Sequence, residues 1–314
     1  MPMRAYSEDF LTTDDGADIW HALLGAPDDG QGQDRGQGQA QSRGAAPLVM
    51  CDGLGCAGFA FKHLIRLLVP RHPIVRWNYR GHGRSTLARD PRAVGIAEAV
   101  SDLAQVLDAR GIERAVLIGH SMGAQVILEF HRRHPGRVLA LIPICGSYGN
   151  PLATFHDTDL LKRCFPGLLA AAERFPALSR HVTGAVMPSE LAYQYARWAE
   201  VNRHLVARED FEPYFTHLSH MDPIAFLHTL ESASAHTTAD HLKEVDVPTL
   251  IVAADSDTFT PYRISEEMHE AIAGSEMLTI LAGTHTAIIE QPELIALRIE
   301  RFLRERGVQA ARAA

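Results

Sequence analysis

The stretch IGHSMGAQV at residues 118–126 sets a serine between two glycines. The apolar run before Ser121 predicts a strand and the pattern after it predicts a helix, so the serine falls at their junction. Gly119 and Gly123 allow a turn too tight for larger side chains, which would leave the serine hydroxyl exposed. The Met122 amide can then donate to a developing oxyanion. An ordinary small-residue turn is the alternative, but this setting favours a candidate nucleophile at Ser121.

A serine hydroxyl is a weak nucleophile until a base removes its proton. Among the 17 histidines, His285 follows a predicted strand and precedes the last predicted helix, which places it at the same sheet edge as Ser121. A carboxylate must orient the imidazole. Two candidates, Asp255 and Asp257, follow another predicted strand in LIVAADSDTFTP. The chain therefore offers a serine, an aspartate and a histidine in that order.

Such side chains need a rigid scaffold, and the apolar runs of the sequence predict one. Strands are predicted at 47–51, 74–79, 114–120, 137–145, 248–254 and 276–281. Several are apolar on both faces, which is typical of a sheet covered on both sides. Helical spacing recurs between the strands, for example at residues 96–107 and 292–303. The alternation predicts an α/β fold with a mostly parallel central sheet and helices on both faces.

Two segments interrupt this alternation. Residues 26–47 are rich in Gly, Gln and Asp without an apolar period, so we expect a flexible loop that joins the strands on either side of it as a hairpin. Residues 147–235 contain helical patterns and no convincing strand. We expect a helical cap or lid there, inserted into a core formed by residues 1–146 and 236–314.

The motifs GHSMG, DSDTFTP and GTHTAIIEQPE stand in the order found in the α/β-hydrolase family, which the chain resembles. The stretch WNYRGHGRS is similar to a further family motif, DxRGxGxS, with Asn78 where aspartate is common. The resemblance implies an α/β-hydrolase core in which Ser121 is the nucleophile and His285 the base. Family members carry the acid four residues before the proline, which implies Asp257 rather than Asp255. In the family, the loop WNYRGHGRS chiefly braces the floor of the active site.

Relatives place a second oxyanion donor in the loop after the third strand, usually within a His-Gly sequence. Here that loop is CDGLGC, so Asp52 stands where relatives have histidine, and the implied donor is the Leu54 amide. A carboxylate this close to a developing negative charge is unfavourable unless it is neutralised, and we expect Asp52 to cap its own turn. The resemblance thus implies an oxyanion hole formed by the amides of Leu54 and Met122.

This constellation predicts a serine hydrolase that cleaves carboxylic esters, with a small-molecule ester as its partner and no cofactor. Lactonase, thioesterase, perhydrolase, acyltransferase and C–C hydrolase activities would use the same residues, because the sequence specifies the attack and not the leaving group. A non-catalytic ligand receptor is the alternative from another class. Apolar cap residues favour short to medium apolar acyl groups. The candidate pocket residues are Phe155, Tyr193, Trp198, Phe215 and Met221. The alternative is that these aromatic and methionine side chains form the core of the cap.

Composition argues against several other classes. A net charge of −8 without a run of lysine and arginine disfavours a nucleic-acid partner. No apolar stretch approaches the roughly 18 residues of a membrane span, and the N-terminal residues lack the apolar core of a secretory signal. We therefore expect no membrane span and a cytoplasmic location. The four cysteines show no zinc spacing, and the histidine pairs in HRRHP and HLSHMDP lack a matching carboxylate cluster, so we expect no metal.

Overall fold

The computed structural model describes residues 6–25, 45–154, 160–199 and 205–308. Within these ranges the chain forms an eight-stranded sheet with helices on both faces. The strands are β1 (Tyr6–Thr12), β2 (Asp18–Leu24), β3 (Leu48–Cys51), β4 (Ile74–Trp77), β5 (Ala115–His120), β6 (Val138–Ile144), β7 (Leu250–Ala254) and β8 (Glu276–Ile280). The helices are α1 (Lys62–Leu68), α2 (Ile96–Ala109), α3 (Met122–Arg133), α4 (Pro151–Thr154), α5 (Leu160–Arg174), α6 (Pro176–Val186), α7 (Glu190–Ala199), α8 (Arg208–His220), α9 (Pro223–Ala235), α10 (Tyr262–Ala271), α11 (Ala287–Glu290) and α12 (Pro292–Glu305).

The order of strands across the sheet is β1-β2-β4-β3-β5-β6-β7-β8. β2 pairs antiparallel with both β1 and β4, and every pair from β4 to β8 is parallel. The prediction of a mostly parallel α/β sheet is therefore confirmed. All six predicted strands are present, and their observed ends lie within two residues of the predicted ends.

The antiparallel edge of the sheet differs from the sequence prediction. β1 is an addition to the predicted strands, and its sequence YSEDFLT mixes polar and apolar residues because the strand lies at the edge. The expected hairpin between the strands that flank residues 26–47 is wrong. β4 lies between β2 and β3 and pairs with β2, so that His21 stands opposite Trp77. Residues 26–44, where a flexible loop is expected, lie outside the described residues.

Alternate side chains of the central strands enter two separate hydrophobic clusters. On β3, Leu48 and Met50 join a cluster with residues of α1 and α12, whereas Val49 and Cys51 join one with residues of α2 and α3. Every residue of β5 is likewise buried. Burial on both faces explains why these strands are nearly continuous apolar runs in the sequence.

The connections of β3 create a crevice at the carboxyl ends of the central strands. β4 lies on one side of β3 and β5 on the other, so the chain reverses its direction across the sheet at β3. Loops that leave the carboxyl ends of two such strands diverge, and ligands of open α/β sheets bind in the crevice between them. Cys51 at the end of β3 stands opposite Gly119 near the end of β5. The residues that follow β3 are thereby brought beside Ser121.

Residues 147–235, which we call the helical insert, lie between β6 and β7 and include α4–α9. The chain is tied together where it enters and leaves this insert. Gly149 and Thr237 form an isolated antiparallel bridge, and the Thr238 amide donates to the carbonyl oxygen of Tyr148 at 2.8 Å. The chain therefore leaves the sheet and returns to it through one narrow neck.

Gly25 and Ala46, on either side of the segment 26–44, both lie close to His72. An ideal Cβ on Gly25 would lie 3.3 Å from the carbonyl oxygen of His72, and Nδ1 of His72 donates to the carbonyl oxygen of Ala46 at 3.0 Å. We expect that a short turn joining Gly25 to Ala46 leaves Tm and turnover nearly unchanged, because closure entropy depends only weakly on loop length. Thermal unfolding and ester kinetics of the deletion variant test this. Lost activity or altered assembly would assign the segment to a lid or an interface.

Candidate active site

Ser121 occupies a strained turn between β5 and α3. Its φ is 55° and its ψ is −120°, a left-handed conformation that is uncommon for residues other than glycine. An ideal Cβ on Gly119 would lie 2.3 Å from the carbonyl oxygen of Gly123, and one on Gly123 would lie 2.1 Å from that of Cys51. Close backbone contacts therefore require glycine at both positions of GHSMG, and the turn projects the serine side chain between the loops that surround it.

The structure brings Ser121, His285 and Asp257 together at the carboxyl edge of the sheet. Nε2 of His285 lies 2.9 Å from Oγ of Ser121, and Nδ1 of His285 lies 2.9 Å from Oδ2 of Asp257. An ionised carboxylate only accepts, so Nδ1 carries the proton and Nε2 is left as an acceptor for the serine hydroxyl. This arrangement can transfer the serine proton to the imidazole.

The two candidate aspartates occupy different environments. Asp255 is exposed, whereas Asp257 is buried and accepts from the amides of Phe259 and Thr260 at 2.8 and 2.9 Å. The Thr260 hydroxyl also donates to Asp257, at 2.7 Å. Burial alone would raise the pKa of Asp257, but His285 and the hydrogen bonds from Thr260 bring it below its ordinary value. Asp257 is therefore an anion that faces the imidazole.

Glu290 holds the loop that carries His285, a role that the sequence analysis does not identify. One carboxylate oxygen of this buried residue accepts from the Thr284 amide at 3.0 Å, and the other accepts from the Thr286 hydroxyl at 2.8 Å. The Thr284 hydroxyl donates to the same carboxylate. Glu290 thus fixes the residues on both sides of His285. An acidic residue within the apolar pattern TAIIE is the signal that the sequence offers.

Two rings pack against the His285 imidazole. The His120 ring lies 5.0 Å from it between centroids, and Nε2 of His120 donates to the carbonyl oxygen of His285 at 3.0 Å. Burial lowers the pKa of His120 to about 4, so this ring is neutral at neutral pH. The Phe259 ring stacks on His285 with its centroid 4.8 Å away. These contacts restrict the imidazole to the orientation that faces Ser121.

The loop after β3 lies against the candidate nucleophile. An ideal Cβ on Gly53 would lie 3.1 Å from Cβ of Ser121. In the hydrogen bonds between described residues, the amides of Leu54 and Met122 have no acceptor. Met122 is the first residue of α3, where helical amides have no partner within the helix. The two expected oxyanion donors are thus on the segments that flank Ser121.

Asp52 is buried at the start of this loop. Burial raises the pKa of its carboxyl to about 7, although Arg76 and the backbone amide of Gly58 act in the opposite direction. Its Oδ1 has no hydrogen-bond partner among the described residues. The neutral form of the Asp52 carboxyl is therefore populated near neutral pH.

An apolar cavity of about 450 Å³ lies within the helical insert. Its lining side chains are apolar apart from the hydroxyls of Ser179 and Thr183, and they include Leu218 on α8 and Phe226 on α9. An ideal Cβ on Gly55 would lie 2.8 Å from the Leu218 side chain and 3.2 Å from that of Phe226. These two side chains therefore border both the cavity and the loop that carries the Leu54 amide.

The residues expected to line a substrate pocket are found in different places. Met221 lines the cavity of the helical insert. Tyr193 and Phe215 are buried in the same hydrophobic cluster as α1 and α12, with their rings edge-on and 6.1 Å apart. Phe155 and the side chain of Trp198 lie outside the described residues. Contact of these five residues with a substrate stays a prediction.

Two observations concern membranes and metals. Among the described helices, none combines the length and the apolar composition that crossing a bilayer requires. In the described ranges, no three or more His, Cys, Asp and Glu side chains are grouped so that they could hold a metal ion.

Most of the chain matches a known family of proteins. Residues 46–292 match the family model described as alpha/beta hydrolase fold. The chain belongs to the α/β-hydrolase family. Over 249 residues, this α/β hydrolase is 25% identical to a protein of Azorhizobium caulinodans named "Putative carbamate hydrolase RutD", and the match covers 79% of this chain and 87% of that protein.

Solved structures agree on the fold of this α/β hydrolase. An esterase from Rhodococcus sp. ECU1013 superposes with a TM-score of 0.72 at 17% sequence identity. The superposition covers 96% of this chain and 99% of the esterase chain. An enol-lactonase from Burkholderia xenovorans LB400 superposes with a TM-score of 0.69 at 17% sequence identity. The superposition covers 94% of this chain and 100% of the lactonase chain. The comparisons confirm the predicted fold and support a hydrolase, while the names of these relatives differ in substrate.

Proposed function

We propose that this α/β hydrolase is a serine hydrolase that cleaves carboxylic esters through an acyl-enzyme. The observation that carries the proposal is the line of hydrogen bonds from Ser121 through His285 to Asp257, with 2.9 Å at each step. These groups supply a nucleophile, a base and an anion that stabilises the imidazolium. The proposed reaction uses no cofactor.

In the proposed reaction, Nε2 of His285 takes the hydroxyl proton while Oγ of Ser121 attacks the ester carbonyl carbon. The amides of Leu54 and Met122 donate to the oxyanion of the tetrahedral intermediate, and loss of one such donor typically costs about 10² to 10³ in kcat. Collapse of the intermediate expels the alcohol, which takes the proton from the imidazolium. A water molecule activated by the same imidazole then attacks the acyl-enzyme and releases the acid.

The helical insert is proposed to act as a cap over Ser121, which would divide the chain into a cap of residues 147–235 and a core of residues 1–146 and 236–314. Support comes from Leu218 and Phe226, which pack against the Gly55 position of the loop that carries Leu54. Both also line the apolar cavity. An apolar wall favours an uncharged acyl group, since each buried methylene contributes about 0.8 kcal/mol.

Short to medium acyl esters are expected to give the highest kcat/KM. Each methylene added to the acyl chain should raise kcat/KM by less than about fourfold until the apolar space is filled. Charged acyl-CoA should be a poor substrate because the side chains lining the cavity carry no charge. The measurement is kcat/KM for 4-nitrophenyl esters from acetate to palmitate, with acyl-CoA and simple lactones. An optimum at palmitate would indicate an open lipase-like groove, and a preference for lactones or thioesters would move the function to those classes.

Carbamate hydrolysis is the second candidate, because a relative that spans most of the chain is named a carbamate hydrolase. A carbamate carbonyl would be attacked by the same groups and would differ from an ester in its leaving group. A carbamate of matched size therefore belongs in the substrate panel, and a higher kcat/KM for it than for the ester would favour this candidate. Multiple turnover of any substrate in the panel would exclude a non-catalytic receptor.

A further inference from the structure

Two residues of the WNYRGHGRS motif hold the loop that carries Leu54. The Tyr79 hydroxyl donates to the carbonyl oxygen of Asp52 at 2.8 Å. The Gly55 amide donates to Nε2 of His82 at 3.1 Å. One hydrogen bond thus fixes the backbone before Leu54 and the other fixes it directly after Leu54.

The protonation of His82 is determined by its two partners. Nδ1 lies 3.0 Å from the carbonyl oxygen of Arg80, and a carbonyl only accepts, so Nδ1 carries the ring proton. Nε2 is then an acceptor, as the bond from the Gly55 amide requires. Complete burial lowers the pKa of His82 to about 4. The ring therefore stays neutral, and its acceptor stays directed at Gly55, throughout the neutral pH range.

The groups that make these two bonds are themselves fixed. The Tyr79 ring is buried and lies edge-on to Trp77, with 4.8 Å between centroids. Arg80, between the two residues, forms a bidentate ion pair with the fully buried Asp102 on α2, with two nitrogen–oxygen distances of 2.8 Å. Bidentate pairs of this kind are strongly directional. The backbone from Tyr79 to His82 is consequently a rigid support.

We propose that Tyr79 and His82 are positioning residues that set the Leu54 amide for the oxyanion. This inference rests on the proposed serine hydrolase function and deepens it. Leu54 lies between Gly53 and Gly55, and a peptide between two glycines can adopt many conformations unless it is held. The oxyanion exists only in the tetrahedral intermediate and its transition states, so a poorly held amide lowers kcat and leaves KM nearly unchanged.

The variant Tyr79→Phe removes one hydroxyl and keeps the ring that packs on Trp77. We expect its kcat for a nitrophenyl ester to fall about 10-fold. This loss is smaller than the decrease of about 10²- to 10³-fold in kcat that follows deletion of an oxyanion donor. KM should stay within about twofold. The matched control is Tyr262→Phe. The Tyr262 hydroxyl bonds to Thr279 on β8 at 2.9 Å, and its removal should leave kcat unchanged.

His82 is tested by a pair of substitutions. His82→Leu removes the acceptor for the Gly55 amide and should lower kcat about 10-fold or more. In His82→Gln, the side-chain oxygen can reach the position of Nε2 and accept from Gly55, so most of the loss should be restored. Rescue by glutamine and not by leucine assigns the effect to the hydrogen bond rather than to the volume of the ring.

A trifluoromethyl ketone supplies a readout that a merely structural role would not change, because it forms a tetrahedral oxyanion adduct on the serine. We expect its affinity to weaken in Tyr79→Phe and His82→Leu by the same factor as kcat. Unchanged kcat and ketone affinity in both variants would overturn the positioning role. An unmodified chain that hydrolyses no ester and reacts with neither the ketone nor a phosphonate would overturn the proposed function and this inference with it.

Discussion

Replacing Ser121 with alanine is expected to lower kcat for nitrophenyl esters by about 10⁴ or more, because the route through the acyl-enzyme is lost. What remains should come from substrate binding and the oxyanion donors alone. An organophosphonate probe followed by peptide mass spectrometry should label the unmodified chain at Ser121. The Ser121→Ala variant should not be labelled, and its Tm should stay close to that of the unmodified chain because the hydroxyl lies at a partly exposed surface.

A second serine provides the control for this experiment. The Ser275 hydroxyl bonds to His269 at the surface, so Ser275→Ala should keep both turnover and labelling. Labelling at another serine, together with an active Ser121→Ala variant, would contradict the assignment of the nucleophile. Loss of labelling without loss of turnover would separate reactivity toward phosphonates from the proposed reaction.

Asp257→Asn is expected to lower kcat by about 10⁴, because an amide nitrogen facing His285 favours the imidazole tautomer that cannot accept the serine proton. Asp255→Asn should stay within about twofold of the unmodified chain, since the exposed Asp255 carboxylate accepts from the neighbouring Ser256 hydroxyl at 3.1 Å. The measurement is kcat with saturating ester for both variants. Thermal unfolding of each shows whether the protein under assay is folded.

The two aspartates control for each other because they are two residues apart and the substitution is the same. Comparable losses in both variants would mean that the whole loop, rather than one carboxylate, supports activity. A larger loss in Asp255→Asn would overturn the assignment of Asp257. Either result would also argue against using the four-residue spacing before Pro261 to identify the carboxylate that orients His285.

The predictable part of the fold follows from burial on two faces. β3, β5 and β7 are visible in the sequence as nearly continuous apolar runs because every residue in these strands is buried. β1 lies at an edge and lacks such a run. The pairing of β2 with β4 rather than β3 depends on the route of the chain through a crossover, which local sequence patterns do not encode.

The site divides in a similar way. Ser121, His285 and a choice between Asp255 and Asp257 could be predicted because their chemistry restricts the residue types and the turn at the serine requires glycine. The preference for Asp257 comes from the family resemblance. The roles of Glu290 and His82 depend on which side chains and amides meet after folding. His82 contacts Gly55 across 27 residues of sequence, a separation that no short motif spans.

The neck at Tyr148 and Thr238 also bears on how proteins of this architecture can diversify. Because the helical insert is attached where two chain segments already touch, its length and sequence can change without altering the spacing between β6 and β7. Ser121, Asp257 and His285 all lie outside it. Exchange of the whole segment between relatives is therefore a route by which evolution, or a protein engineer, can present new surfaces to an unchanged set of reactive groups.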